Sequence, residues 1–127
     1  MDAPVIEVWC DGACEPFNPG GTASYGVVIA LPLRETVRLR GVVGSGPKMT
    51  NNVAEYAALV AAMEWLIEND LGGEEIHFYG DSALVANQIG GAWKVNRHKI
   101  PAYLPWYDKA ASLRRMLVTI KAMNAIT

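Results

Sequence analysis

A chain of 127 residues, 51% of them hydrophobic, is the size of one globular domain, here residues 1–127, and is excluded from the disordered class. The net charge of −2 is the sum of −8 over residues 1–92 (four basic, twelve acidic) and +6 over residues 93–127 (seven basic, one acidic). No apolar run nears the roughly 18 residues of a membrane span, the N-terminal Met-Asp-Ala-Pro has no signal core, and Cys10 and Cys14 lack the companion ligands of a zinc site, so a soluble cytoplasmic protein with reduced thiols is expected.

Pro4–Cys10 alternates and is rich in β-branched residues, which predicts a strand ending at Asp11-Gly12. A loop with Pro16, Pro19, Gly20 and Gly21 follows, then a hairpin of Ser24–Ala30 and Glu35–Val43 with Pro32 in its turn. Tyr56, Leu59, Val60, Met63, Leu66 and Ile67 recur at helical spacing, so 53–69 reads as a helix stopped by Gly72-Gly73. Ile76–Tyr79 is a short strand and Ser82–Gln88 a short helix. Pro101–Met116 is a further helix, and Leu117–Met123 a last strand.

The order βββαβααβ predicts an α/β fold with a mixed sheet, antiparallel first and parallel later. Ligands of such sheets sit outside the carboxyl ends of the parallel strands, where Asp11 and Asp81 fall. Each acid has a bland explanation. Asp11 suits a turn before Gly12, Glu55 suits a capping box with Asn52, and Asp81 suits a helix N-cap. Together they point elsewhere, because converging carboxylates repel unless a cation neutralises them, and an oxygen-only ligand set selects magnesium or manganese. Two such ions about 4 Å apart suit phosphodiester cleavage. The basic segment fits a polyanion beside that site, although solvated helix faces account for Lys109 and Arg114 equally well.

The motifs themselves resemble the ribonuclease H type 1 family. Asp11-Gly-Ala-Cys-Glu-Pro-Phe-Asn18-Pro-Gly-Gly21 with Ser24-Tyr-Gly-Val-Val is similar to that family's first strand, loop and second strand. Thr50-Asn51-Asn52-Val-Ala-Glu55 resembles its Thr-Asn-Asn-x-x-Glu helix start, Gly80-Asp81-Ser82 its Asp-Ser turn, and Gly91-Ala-Trp93-Lys94-Val the Trp-Lys segment of bacterial and archaeal forms without a long basic protrusion.

The resemblance implies a five-stranded ribonuclease H-like sheet and cleavage of the RNA strand of RNA–DNA hybrids, leaving 5′-phosphate and 3′-hydroxyl ends. It implies Asp11, Glu55 and Asp81 as ligands of Mg2+, with Mn2+ as a substitute, and Asp11 bridging two ions. It places the Asn18 loop in the hybrid's minor groove, Asn51 and Asn52 on sugar or base edges, and Thr50 on a DNA phosphate at a helix N-terminus. Trp93 would pack on DNA sugars, with Lys94, Arg97 and Lys99 on phosphates, although a partly buried core aromatic accounts for Trp93 about as well.

The sequence also departs from the family. A C-terminal loop with a His, a final helix and a fourth carboxylate are expected to be missing, since no acid follows Asp108 and neither His77 nor His98 matches. Ala83 stands where a polar residue often follows the Asp-Ser pair, Asp108 reads as an ordinary surface residue, and Asn124 offers only a neutral oxygen ahead of the family position. Three readings remain: an active hybrid nuclease with a pared-down site, a hybrid- or duplex-binding module without turnover, and a fragment completed by a partner. The protein would be a monomer, or a dimer covering the truncated face. An integrase-like or resolvase-like nuclease is a remoter relative with similar strands.

Overall fold

The computed structural model describes residues 5–117 and 119–125, the latter through their backbone alone. Strands β1 (Ile6–Glu15), β2 (Thr22–Ala30) and β3 (Val37–Ser45) run as an antiparallel meander. Helix α1 (Asn51–Glu68) leads to β4 (Glu75–Gly80), which lies parallel to β1. Helix α2 (Ala83–Ile89), a 3-10 turn (Arg97–Lys99) and helix α3 (Leu104–Arg114) precede β5 (Thr119–Ala125), parallel to β4. The sheet order is β3-β2-β1-β4-β5, so the expected α/β class with a mixed sheet stands. Among the described residues no helix is long and apolar enough to cross a membrane.

Alternation along β1 and β4 decides which face is covered. Ile6, Val8 and Cys10 of β1 and Ile76 and Phe78 of β4 are buried in one core with Tyr56, Leu59, Val60, Met63 and Leu66 of α1. Phe78 has no exposed surface, and truncating it to Ala would cost about 3–5 kcal/mol through lost burial and the cavity left behind. The odd residues of β1 face the other way, where Trp9 stacks on Tyr79 with centroids 5.5 Å apart.

Several boundaries differ from expectation. β1 does not end at Asp11-Gly12. Its antiparallel pairing with β2 continues from Asp11↔Gly26 to Glu15↔Thr22, while its parallel ladder with β4 stops at Trp9↔Tyr79. Helix α1 is stopped before Gly72-Gly73, because Asp70 takes a left-handed φ of 57° and the N–H of Leu71 reaches back to the carbonyl of Leu66 at 2.9 Å. α3 begins at Leu104 rather than Pro101. Pro101–Tyr103 form a turn, and Pro105 sits in the first helical turn where no N–H donor is required.

Candidate active site

Asp11 stands on β1 just past the last parallel pair, Asp81 directly follows β4, and Glu55 projects from the first turns of α1 onto the same end of the sheet. Carboxylate oxygens of the three lie within 4.8 Å of one another. Asp11 and Asp81 are exposed, and Glu55 is buried, with 8% of its surface accessible. The N–H of Gly12 donates to Glu55 Oε1 at 3.0 Å. This close approach requires glycine, since a Cβ at position 12 would lie 2.4 Å from the Ala54 carbonyl carbon.

The electrostatics follow from that packing. Burial pushes the Glu55 carboxyl up to about 7, the charges of Asp81 and Asp11 add to the rise, and the Gly12 N–H opposes it. Burial also raises the Cys10 thiol, helped by the charge of Glu55, so Cys10 stays a neutral packing group behind the acids.

The bland alternatives for the three acids are overturned. Asp11 lies inside a paired strand rather than a turn. The N-cap of α1 is Thr50, whose hydroxyl accepts from Val53 N at 3.1 Å, and Glu55 bonds Gly12 instead of closing a box with Asn52. The N-cap of α2 is Ser82, accepting from Val85 N at 3.2 Å, which leaves the Asp81 carboxylate uncommitted to a cap. Gly12 and Ser82 are the site residues that sequence reasoning missed as such. The signal was available in both cases: each directly follows a candidate acid.

Glu55 and Asp81 open into a cleft of about 430 Å³ between the Gly12–Glu15 stretch of β1, Asn51 and Asn52 of α1, and Ser82, while Asp11 lines a neighbouring hollow with Trp9 and Asp81. Two amides are oriented at its rim. Asn18 Oδ1 accepts from the N–H of Asn51 at 3.0 Å, and Asn51 Oδ1 accepts from the N–H of Cys14 at 2.9 Å. A main-chain N–H must meet an oxygen, so both side chains are fixed with oxygens inward and NH2 donors outward. Thr50, by contrast, uses its hydroxyl oxygen within the helix cap.

Trp93, Lys94, Arg97 and Lys99 lie together on the loop between α2 and α3 and do not line this cleft. Trp93 is half exposed and the three cations are exposed. Arg97 is held by Asp108 at 2.7 and 3.3 Å and lies over the Tyr107 ring, 5.9 Å from its centroid. Asp108 is an exposed surface residue outside the acid cluster, as the sequence implied, and its hydrogen bond to Arg97 holds its carboxyl below the usual range. His77 sits 3.2 Å from Glu75 on β4, and His98 is exposed in the 3-10 turn. Ala83 opens α2 as an exposed residue. Asn124 pairs with Tyr79 in the β5 ladder. Its side chain, and whatever relates to a segment after residue 125, lie outside the described residues.

A family model described as reverse transcriptase-like matches residues 10–118. The chain is similar to a bifunctional protein of Mycobacterium tuberculosis, 38% identical over 96 residues that cover 76% of this chain and 24% of that protein. It is also similar to ribonuclease HI of Halobacterium salinarum, 37% identical over 95 residues, 72% of this chain and 43% of that one. The chain thus spans less than half the length of these curated relatives. Among solved structures, the N-terminal ribonuclease H domain of the mycobacterial protein superposes with a TM-score of 0.79 at 28% identity, over 97% of this chain and 87% of that one. A ribonuclease H1 named LC11, solved in complex with an RNA/DNA hybrid, gives 0.77 at 29% identity, over 95% and 84%.

Proposed function

Since the chain belongs to the reverse transcriptase-like family and carries a ribonuclease H-like domain, we propose that it is an endonuclease hydrolysing the RNA strand of RNA–DNA hybrids, with divalent cations held by Asp11, Glu55 and Asp81. The observation that carries the reading is the gathering of three carboxylates within 4.8 Å, one of them buried and pushed up to about 7. Such a cluster is destabilised as bare charge, and its oxygen-only donors fit hard cations, Mg2+ with Mn2+ as a substitute. When bound, a pair of such ions supplies an activated water and neutralises charge developing on the leaving oxygen, giving 5′-phosphate and 3′-hydroxyl ends.

The chain's own residues then bind and orient the hybrid. Asn18 and Asn51 offer amide donors to a minor groove, where every base pair presents acceptors, so binding is insensitive to sequence. Asn52 joins them at the cleft, and 2′-hydroxyls there distinguish the RNA strand. Thr50 closes the helix start, and the positive end of that helix faces a DNA phosphate. Trp93 packs on DNA sugars while Lys94, Arg97 and Lys99 meet its phosphates, outside the cleft that Glu55 and Asp81 line.

The test is incubation of the purified protein with a labelled hybrid across Mg2+ and Mn2+ concentrations, alongside Asp11→Asn. Cleavage of the RNA strand that Asp11→Asn abolishes supports the nuclease. A second reading, hybrid binding without turnover, draws on the cluster's having three carboxylates among the described residues; binding with no cleavage at any metal concentration would favour it.

A further inference from the structure

The buried polar side chains of the described core are Glu55 and Gln88, and only the first belongs to the acid cluster. Gln88 lies in the last turn of α2, 5% exposed, on the buried side of the helix with Val85 and Ile89. A buried amide is costly unless both its ends are paired. Here both are: Tyr56 Oη donates to Gln88 Oε1 at 2.5 Å, and Gln88 Nε2 donates to Tyr103 Oη at 2.9 Å.

The positions of the three partners give the arrangement a purpose. Gln88 and Tyr103 stand 15 residues apart, at the two ends of the loop that carries Trp93, Lys94, Arg97 and Lys99. Their hydrogen bond closes that loop. Tyr56 adjoins Glu55 on α1, stacks on Tyr103 with centroids 5.6 Å apart, and meets Tyr107 edge-on at 6.0 Å. Inside the loop the hydrogen bonds are few and local, such as Ile100 N to the Arg97 carbonyl, and Trp93 N to the Asn87 carbonyl at its entry. The Arg97–Asp108 pair is exposed and contributes little to holding it.

We propose that Gln88 is a positioning residue for the substrate: it staples both ends of the basic loop to α1, so that Trp93 and the loop cations stand at a fixed distance from the acids. The proposal rests on the hybrid-nuclease reading above. Gln88 never touches the hybrid. It reduces the entropy lost when the loop orders on a duplex, so its effect falls on binding rather than on the bond-breaking step. Glu55 keeps its own support, the Gly12 N–H.

Two variants test this. Gln88→Leu removes both hydrogen bonds with little change of volume, and Tyr103→Phe removes one while leaving the ring stack intact. Metal-free affinity for a labelled hybrid, KM and kcat, and amide exchange across residues 91–102 are measured in each. Both variants are expected to raise Kd and KM by roughly three- to tenfold, with kcat at saturating hybrid held within about twofold, as the loss of about one hydrogen bond's worth of pre-organisation. Exchange in the loop should accelerate in both. Unchanged KM with unchanged loop exchange in Tyr103→Phe overturns the proposal, as does a fall in kcat with KM intact. If the unaltered protein binds no hybrid, the nuclease reading fails with it; if it binds and both variants bind as well, only the staple fails.

Discussion

The main-chain N–H of Gly12 donates to Glu55 Oε1 across 43 residues of sequence, and the two backbones are so close there that no side chain fits at position 12. Strand and helix are thus held together at the point where two of the three acids emerge. Gly12→Ala places a Cβ against the Ala54 and Glu55 backbone, with no flexible side chain to yield. The expected loss is about 3 kcal/mol or more by urea denaturation, with cleavage lost in parallel. A folded Gly12→Ala protein of ordinary stability would refute the account of this contact.

Glu55 also makes metal-free stability fall with rising pH. Its folded-state value of about 7 lies above the ordinary 4.5, so the folded protein binds more protons than the unfolded chain between those limits. The stability this gives is fully present below pH 4.5 and lost as pH rises through 7, by up to about 3 kcal/mol. Glu55→Gln should flatten that profile and stabilise the metal-free protein at pH 8. Added Mg2+ should stabilise the unaltered protein at pH 8 and not Glu55→Gln. Chelator-treated samples melted across pH 4–8 give the answer.

Asn51→Asp separates the inward oxygen from the outward NH2. A carboxylate still accepts from the Cys14 N–H, so the thermal midpoint should barely move. The donor facing the groove is replaced by an acceptor with charge, and hybrid affinity should drop about tenfold or more, ~1.4 kcal/mol. Retained affinity would show that the outward amide does not read the groove.

Asp108→Asn releases Arg97 and removes a negative charge from the basic loop. Hybrid binding should tighten at low salt, and the slope of log Kd against log salt should steepen by up to ~0.9, one phosphate's worth. Arg97→Ala should move both quantities the other way. Weaker binding by Asp108→Asn would mean that Asp108 holds Arg97 in place for the hybrid rather than competing with it.

Much of the site was legible because the acids are flagged locally: Asp11-Gly12, Asn51-Asn52-x-x-Glu55 and Gly80-Asp81-Ser82 each carry their chemistry within a few residues. The end of β1 was misread because Asp-Gly is a turn signal in isolation, whereas β2 pairs the strand onward to Glu15. Asn52 suited a cap because Thr-Asn-Asn offers three consecutive capping side chains; only the Thr50–Val53 bond decides among them. Gln88, Tyr56 and Tyr103 were invisible as a set, since a buried hydrogen-bond chain between distant residues has no spacing to detect. One trace existed: Gln88 falls three residues after Val85, on the apolar side of a short helix where an amide is out of place.

The three acids come from segments that the ribosome delivers in a fixed order. Asp11 and Glu55 can meet once α1 has packed on the antiparallel meander, but Asp81 joins them only when β4 has paired in parallel with β1, a slow, non-local step. A chain still being synthesised, or a proteolytic fragment ending before Asp81, therefore carries an incomplete ligand set. The proposed nuclease site is therefore complete only once the parallel pairing of β1 with β4 has formed, and not when the first half of the chain has folded.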